Sequence, residues 1–212
     1  MTSTLYHATG SPNSRRVRMF IAEKGLQVPM VPVDLGNKEQ FSDAYKAINP
    51  RSMVPTLVLT DGTSVAEVPA IWRYLEEAYP EQPLLGRTAT EKALVAMWER
   101  RAELDGFAAV MEAVRNAVPG LAGRALAGPH FYEQIPELAE RSRLRLVNFY
   151  ADLNQRLLTT PFVAGEHFSV ADITALVTLD FGKAALKMAI GEDQTALQAW
   201  YENVAARPSA LA

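Results

Sequence analysis

Asn49-Pro50-Arg51-Ser52-Met53-Val54-Pro55-Thr56-Leu57-Val58-Leu59-Thr60-Asp61-Gly62-Thr63-Ser64-Val65-Ala66-Glu67-Val68-Pro69-Ala70-Ile71-Trp72-Arg73-Tyr74-Leu75-Glu76-Glu77-Ala78-Tyr79-Pro80 decides the fold. Thr56 to Thr60 reads as a strand, Asp61-Gly62 as a two-residue hairpin turn, and Ser64 to Glu67 as the antiparallel return. A helix follows, with Glu67 at its start and Pro69 in its first turn. Ile71, Tyr74 or Leu75, and Ala78 recur on one face, and Pro80 ends it. Pro55 cannot donate to a sheet ladder, so it belongs at the start of the strand and is a candidate for the cis isomer. In that isomer the N–H and C=O of Val54 point outward, free to pair with an extended peptide as a short added strand.

Working outward, Thr4 to His7 reads as a first strand, Ala8 to Asn13 as a loop and Ser14 to Lys24 as a helix closed by Gly25. Arg15, Arg16 and Arg18 lie near the start of that helix. Met30 to Asp34 is a second strand, parallel to the first because a helix separates them. Lys38 to Ile48 is a second helix. Residues 1–79 thus run β-α-β-α-β-β-α, the thioredoxin-like order. The proline-framed segment 80–89 is a linker, and 90–212 is helical throughout. Thr90 opens a long helix with apolar Leu94, Met97, Trp98, Leu104, Phe107, Ala108, Met111 and Val114, ending before Pro119-Gly120. After a loop to Pro136, a second long helix runs to Leu158. Ser169-Val170-Ala171-Asp172 is a capping box opening a buried helix to about Ile190. Gln194 to Ala206 is the last helix. Ser169 and Asp172 could be read as a catalytic pair, but an N-cap explains both.

Composition narrows the chemistry. With 49% hydrophobic and 21% charged residues this is an ordinary globular chain, and a net charge of −3 without basic runs gives no footprint for nucleic acid. The absence of cysteine excludes disulfides, thiolate metal sites and a cysteine nucleophile. Three scattered histidines, His7, His130 and His167, make no metal site. Any thiol chemistry must use the thiol of a ligand. The start Met-Thr-Ser-Thr-Leu-Tyr-His is not a signal peptide, and no apolar run reaches membrane length. A cytoplasmic protein without membrane or nucleic-acid partners is expected.

Val54-Pro55 with Glu67, and the later Val163-Ala164-Gly165 and Phe168-Ser169-Val170-Ala171-Asp172-Ile173 sequence, resemble the cytosolic glutathione transferases. The resemblance runs over nearly the whole chain. Arg101-Ala102-Glu103-Leu104 and Pro119-Gly120-Leu121 look like a theta-related bacterial and fungal branch of serine type. The resemblance implies a glutathione transferase fold, α/β followed by all-α, in which a thioredoxin-like domain binds glutathione and the helical domain carries the electrophile pocket. It implies a homodimer that joins the glutathione thiolate to small hydrophobic electrophiles, with glutathione as co-substrate and no metal. Glutathione-dependent peroxide or disulfide reduction is the alternative within enzymes; a non-catalytic binding module is the alternative outside them.

The thiol of glutathione, with an ordinary pKa of about 8.5, must be held as the anion at neutral pH. Lowering that value by ~2 units needs ~2.7 kcal/mol, which one hydroxyl and a helix N-terminus can supply. Ser11-Pro12-Asn13-Ser14 lies where the first strand gives way to the first helix. Ser11 to Val17 is similar to the serine-type motif Ser-Pro-x-x-x-Arg-Val, which makes Ser11 the first candidate. A related bacterial group acting on disulfides and peroxides has Thr-Pro-Asn there, which makes Asn13 the second. Ser14 is the third, and it stands where an N-cap is expected. The resemblance further implies Glu67 for the γ-glutamyl ammonium and Val54 with Pro55 for the cysteinyl backbone. Lys38 or Gln40, with Arg51, would take the glycyl carboxylate. Val68 stands where the family has serine, leaving a backbone N–H for the γ-glutamyl carboxylate, and Met53 replaces a basic residue. Phe107, Met111 and Arg115 would line the electrophile pocket, and Asn116 would either reach the sulfur or cap its helix.

Overall fold

The computed structural model describes residues 3–212. They form two compact units. The first is Met1–Gln82 joined by Ala127–His130 and Leu211–Ala212; the second is Pro83–Leu126 with Phe131–Ala210.

The first unit is a thioredoxin-like sheet with helices. Strands β1 (Thr4–His7), β2 (Met30–Pro32), β3 (Thr56–Val58) and β4 (Ser64–Ala66) lie in the order β2-β1-β3-β4. The β1–β2 pair is parallel, and both pairs involving β3 are antiparallel. Helices α1 (Pro12–Glu23) and α3 (Val68–Ala78) pack on each other, with Phe20 stacked on Trp72 at 6.0 Å. Leu5, Met19, Leu57, Ile71 and Leu75 complete that core. Successive strand side chains point to opposite faces. Tyr6 accordingly meets Tyr45, on the short helix α2 (Asp43–Ile48), edge to face.

Several sequence expectations shift. Helix α1 begins at Pro12, so Ser11 rather than Ser14 is the N-cap, and Pro12 supplies the preset φ of a first helical residue. The expected helix 38–48 divides into a 3-10 turn, Glu39–Phe41, and α2, because the Ser42 hydroxyl caps Tyr45 and restarts the chain. The hairpin turn is one residue wider than Asp61-Gly62. Leu59 donates to the Thr63 carbonyl and Gly62 donates back to Leu59, with Gly62 at φ 88°, where a side chain is disfavoured.

The second unit is all helical. It contains α4 (Ala89–Arg101), a π-helical turn (Ala102–Phe107), α5 (Ala108–Ala117), α6 (Pro136–Leu157), α7 (Val170–Leu186) and α8 (Thr195–Ala205). The expected long helix from Thr90 is therefore continuous but carries an extra residue in its middle. Its buried face is Val95, Glu99 and Ala102, then Ala109, Val110, Ala113 and Val114, while Leu94, Met97 and Leu104 are exposed. A π turn rotates the residues on either side of it relative to each other, and a buried glutamate hides the stripe from a hydrophobic pattern. Gly106 sits in that turn against Phe149 of α6; a Cβ there would lie 2.6 Å from the ring.

Helix α7 is buried along most of its length, with Ile173 and Leu176 at its centre. Its start bears out the capping reading. Ser169 Oγ accepts the Ala171 N–H, and the Asp172 carboxylate accepts from the Ser169 N–H, the Ser169 hydroxyl, the Val163 N–H and the Trp200 indole. Burial nevertheless outweighs these donors and pushes the Asp172 carboxyl up to about 6.

Candidate active site

The register of the sheet brings the candidate segments to one place. Tyr6 pairs with Thr56, Thr56 pairs with Ala66, and His7 pairs with Pro32. The chain leaving β1, the chain entering β3, the chain leaving β4 and the chain leaving β2 therefore all emerge at one end of the sheet. These carry Ser11 to Ser14, Met53 to Pro55, Glu67 with Val68, and Lys38 with Gln40.

Ser11 is half-buried at the N-terminus of α1. Its Oγ accepts the Ser14 N–H at 3.3 Å, so its own proton remains available to a ligand. Asn13 accepts from Arg16 Nη1 at 3.3 Å through Oδ1, leaving its NH2 group outward-competent. Ser14 is fully buried, and its Oγ accepts the Ala8 N–H. It fastens the loop after β1 to α1.

Packed against this segment are two of the arginines noted near the start of the helix. Arg16 is buried with its guanidinium 4.9 Å from the centre of the Trp72 ring. Arg18 donates to the carbonyls of Ala8, Thr9 and Ala212 and meets His7 Nδ1. Burial, then the charge of Arg18, lowers the pKa of His7, consistent with a neutral ring accepting at Nδ1.

The Val54–Pro55 peptide is cis, and no hydrogen bond engages the Val54 amide or carbonyl among the described residues. A polar knot holds the turn before it. The Met53 carbonyl accepts from Tyr45 Oη at 2.6 Å and Asn49 Nδ2 at 3.0 Å, and Asn49 also reaches Thr56 Oγ1. Burial raises the pKa of Tyr45, keeping its hydroxyl a donor. Tyr45 and Asn49 escaped pattern reading, since a helix tyrosine and an Asn-Pro turn look structural. The nearness of both to Val54-Pro55 in sequence was the available signal.

Glu67 is exposed with φ 69°, in a region L-residues rarely occupy, and its carboxylate makes no cap hydrogen bond to the helix it precedes. Its carbonyl accepts from Ala70 and Ile71. Val68 is 4% exposed, so its side chain belongs to the core and only its N–H faces the helix entrance. Lys38 is exposed at φ 61°, Arg51 is exposed, and Gln40 is 2% exposed with Oε1 lacking a partner. Met53 is half-buried.

In the second unit Phe107 is buried and Met111 partly so. Arg115 donates to the carbonyls of Arg124 and Leu126. Asn116 is buried, donates to the Glu112 carbonyl and accepts the Ile135 N–H at 2.9 Å. Both its polar ends are engaged within its own unit, so of its two expected roles the structure favours fastening the helix end and the loop.

A thioredoxin-like unit with an unpaired cis-proline edge and a serine at a helix N-terminus, followed by an all-helical unit, is the arrangement of the transferase fold. Residues 5–83 match the glutathione S-transferase N-terminal domain, and residues 120–208 match the glutathione S-transferase C-terminal domain. Glutathione S-transferase 2 of Saccharomyces cerevisiae is 34% identical over 97% of this chain and 86% of its own. The crystal structure of Gtt2 from the same organism superposes with a TM-score of 0.87 over 97% of each chain. A glutathione S-transferase domain-containing protein of Marinobacter aquaeolei superposes at 0.89, with 36% identity over 97% of this chain and 98% of its own. The chain belongs to the glutathione S-transferase family.

Proposed function

We propose that this protein is a glutathione transferase that ionises the thiol of glutathione and adds it to small hydrophobic electrophiles. The observation that carries this is the set of unspent polar groups at one end of the sheet: the Ser11 O–H, the Val54 amide and the Glu67 carboxylate. An extended tripeptide pairs with Val54 as an added strand, its ammonium meets Glu67, and its sulfur lies toward Ser11 and the positive end of α1. The Val68 N–H takes the γ-glutamyl carboxylate, and Lys38, Gln40 and Arg51 are the glycyl carboxylate's partners. The thiolate then attacks in one step, without a metal or a covalent enzyme intermediate. The electrophile is assigned to the surface bearing Phe107, Met111 and Arg115. Residues 1–79 form the glutathione domain, 80–89 the linker and 90–212 the electrophile domain. The reading extends to a cytoplasmic homodimer, by family.

A second reading, glutathione-dependent disulfide or peroxide reduction, is favoured by the Asn13 amide beside Ser11. The disulfide-bond oxidoreductase YfcG of Escherichia coli is 27% identical over 97% of this chain. A non-catalytic binding module is the third. Titration with glutathione at neutral pH, following thiolate absorbance in the ultraviolet, separates them. Ionised bound glutathione lost in Ser11→Ala supports the transferase, loss only in Asn13→Ala supports the reductase, and no binding leaves the module.

A further inference from the structure

Tyr45 and Asn49 act on one peptide group, and the far end of that group is the ligand edge. The Met53 carbonyl accepts the Tyr45 hydroxyl at 2.6 Å and Asn49 Nδ2 at 3.0 Å, with Thr56 Oγ1 further off at 3.4 Å. Both lone pairs of that oxygen are engaged. The Met53 carbonyl and the Val54 N–H belong to a single planar peptide unit, and this unit is trans, the cis bond being the next one along. In a trans unit the two groups point in opposite directions. Donors that hold the carbonyl inward therefore hold the Val54 N–H outward, and a carbonyl that accepts hydrogen bonds makes its own N–H a stronger donor.

The anchor is rigid. Tyr45 is buried with its ring edge to face against Tyr6. Asn49, also buried, accepts the Arg51 N–H at Oδ1 and keeps Nδ2 for Met53 and Thr56. Ser52, the residue before Met53, stands at φ 54°, which an L-residue rarely adopts. Local backbone preference does not favour this turn, so the side chains impose it. We propose that Tyr45 is a positioning residue for glutathione: its hydroxyl, with the Asn49 amide, fixes the Met53–Val54 peptide so that the Val54 N–H meets the cysteinyl carbonyl of the ligand. Tyr45 thereby sets affinity for the peptide and not the reactivity of the thiol. This rests on the reading of Val54 as the peptide-pairing edge.

The probe is S-methylglutathione, which carries the peptide but no ionisable thiol, titrated calorimetrically into the full chain. Tyr45→Phe keeps the ring and removes the donor. It binds the probe about five- to tenfold more weakly than wild type, the range for one hydrogen bond. KM for glutathione rises by a similar factor, while kcat and the pKa of the bound thiol stay at their wild-type values. In amide proton spectra the downfield movement of the Val54 N–H on probe binding shrinks in Tyr45→Phe, a change that lost stability alone does not produce. Asn49→Asp removes the other donor, keeps the acceptor for Arg51 and weakens probe binding in the same way; it carries the test if Tyr45→Phe does not fold. Unchanged probe affinity in the folded variants, a fall in kcat without a rise in KM, or a Val54 response equal to wild type overturns the proposal. Absence of probe binding by the wild-type chain is a different result, which removes the glutathione reading itself and this inference with it.

Discussion

At the scale of single residues, the decisive distinction lies between hydroxyls of the same type three positions apart. Ser11 keeps its proton available while accepting a helix N–H; Ser14 has lost all contact with solvent. On the proposed role of Ser11, Ser11→Ala removes one charge-assisted hydrogen bond to the sulfur, about 1.5–3 kcal/mol, and raises the pKa of bound glutathione by about 1–2 units. At neutral pH the expected outcome is a kcat/KM at least tenfold lower, recovered in part at higher pH, read from rate profiles against pH. Ser14→Ala leaves that profile unmoved and lowers thermal stability instead, because the Ala8 N–H loses its acceptor. On the proposed pairing of Glu67 with the γ-glutamyl ammonium, Glu67→Gln raises KM for glutathione with a smaller change in kcat, since that ammonium is remote from the reacting sulfur.

Elements explain what could be read in advance and what could not. The order of strands and helices was legible because β-branched runs, Asp-Gly and flanking prolines mark their ends by local chemistry. The cis Val54–Pro55 peptide and the Ser169 capping box followed from the same local rules. The buried face of α4 was not legible: Leu94, Met97 and Leu104 follow helical spacing yet face outward, because the π turn displaces the register and Glu99 stands in the true stripe. The supporting residues of the site were hidden for another reason. Arg18, Tyr45 and Asn49 act through long-range contacts with loop carbonyls, which leave no periodicity in sequence. The π turn itself is testable through Gly106. A methyl group placed 2.6 Å from Phe149 must push α6 away, and Gly106→Ala is expected to lose about 1–3 kcal/mol. Chemical denaturation checks this. The double variant with Phe149→Leu recovers part of the loss if the clash is the cause.

On the scale of the whole molecule, stability as a function of pH gathers these contributions into one curve, and Asp172 gives that curve its predicted slope. The folded chain holds the Asp172 proton up to about pH 6, whereas the unfolded chain releases it near the ordinary carboxylate value, about 4. Between these limits the folded state binds more protons than the unfolded state, so stability falls as pH rises through the window and is level above it. The full span corresponds to about 3 kcal/mol. Asp172→Asn removes the titration and places an amide donor among four donors. It is therefore less stable at every pH by about 2 kcal/mol or more, and its stability lacks this slope between pH 4 and pH 6. Urea unfolding of both proteins across that range is the measurement. A wild-type slope retained in Asp172→Asn would move the titration to another group and leave the four-donor cap as a purely structural device.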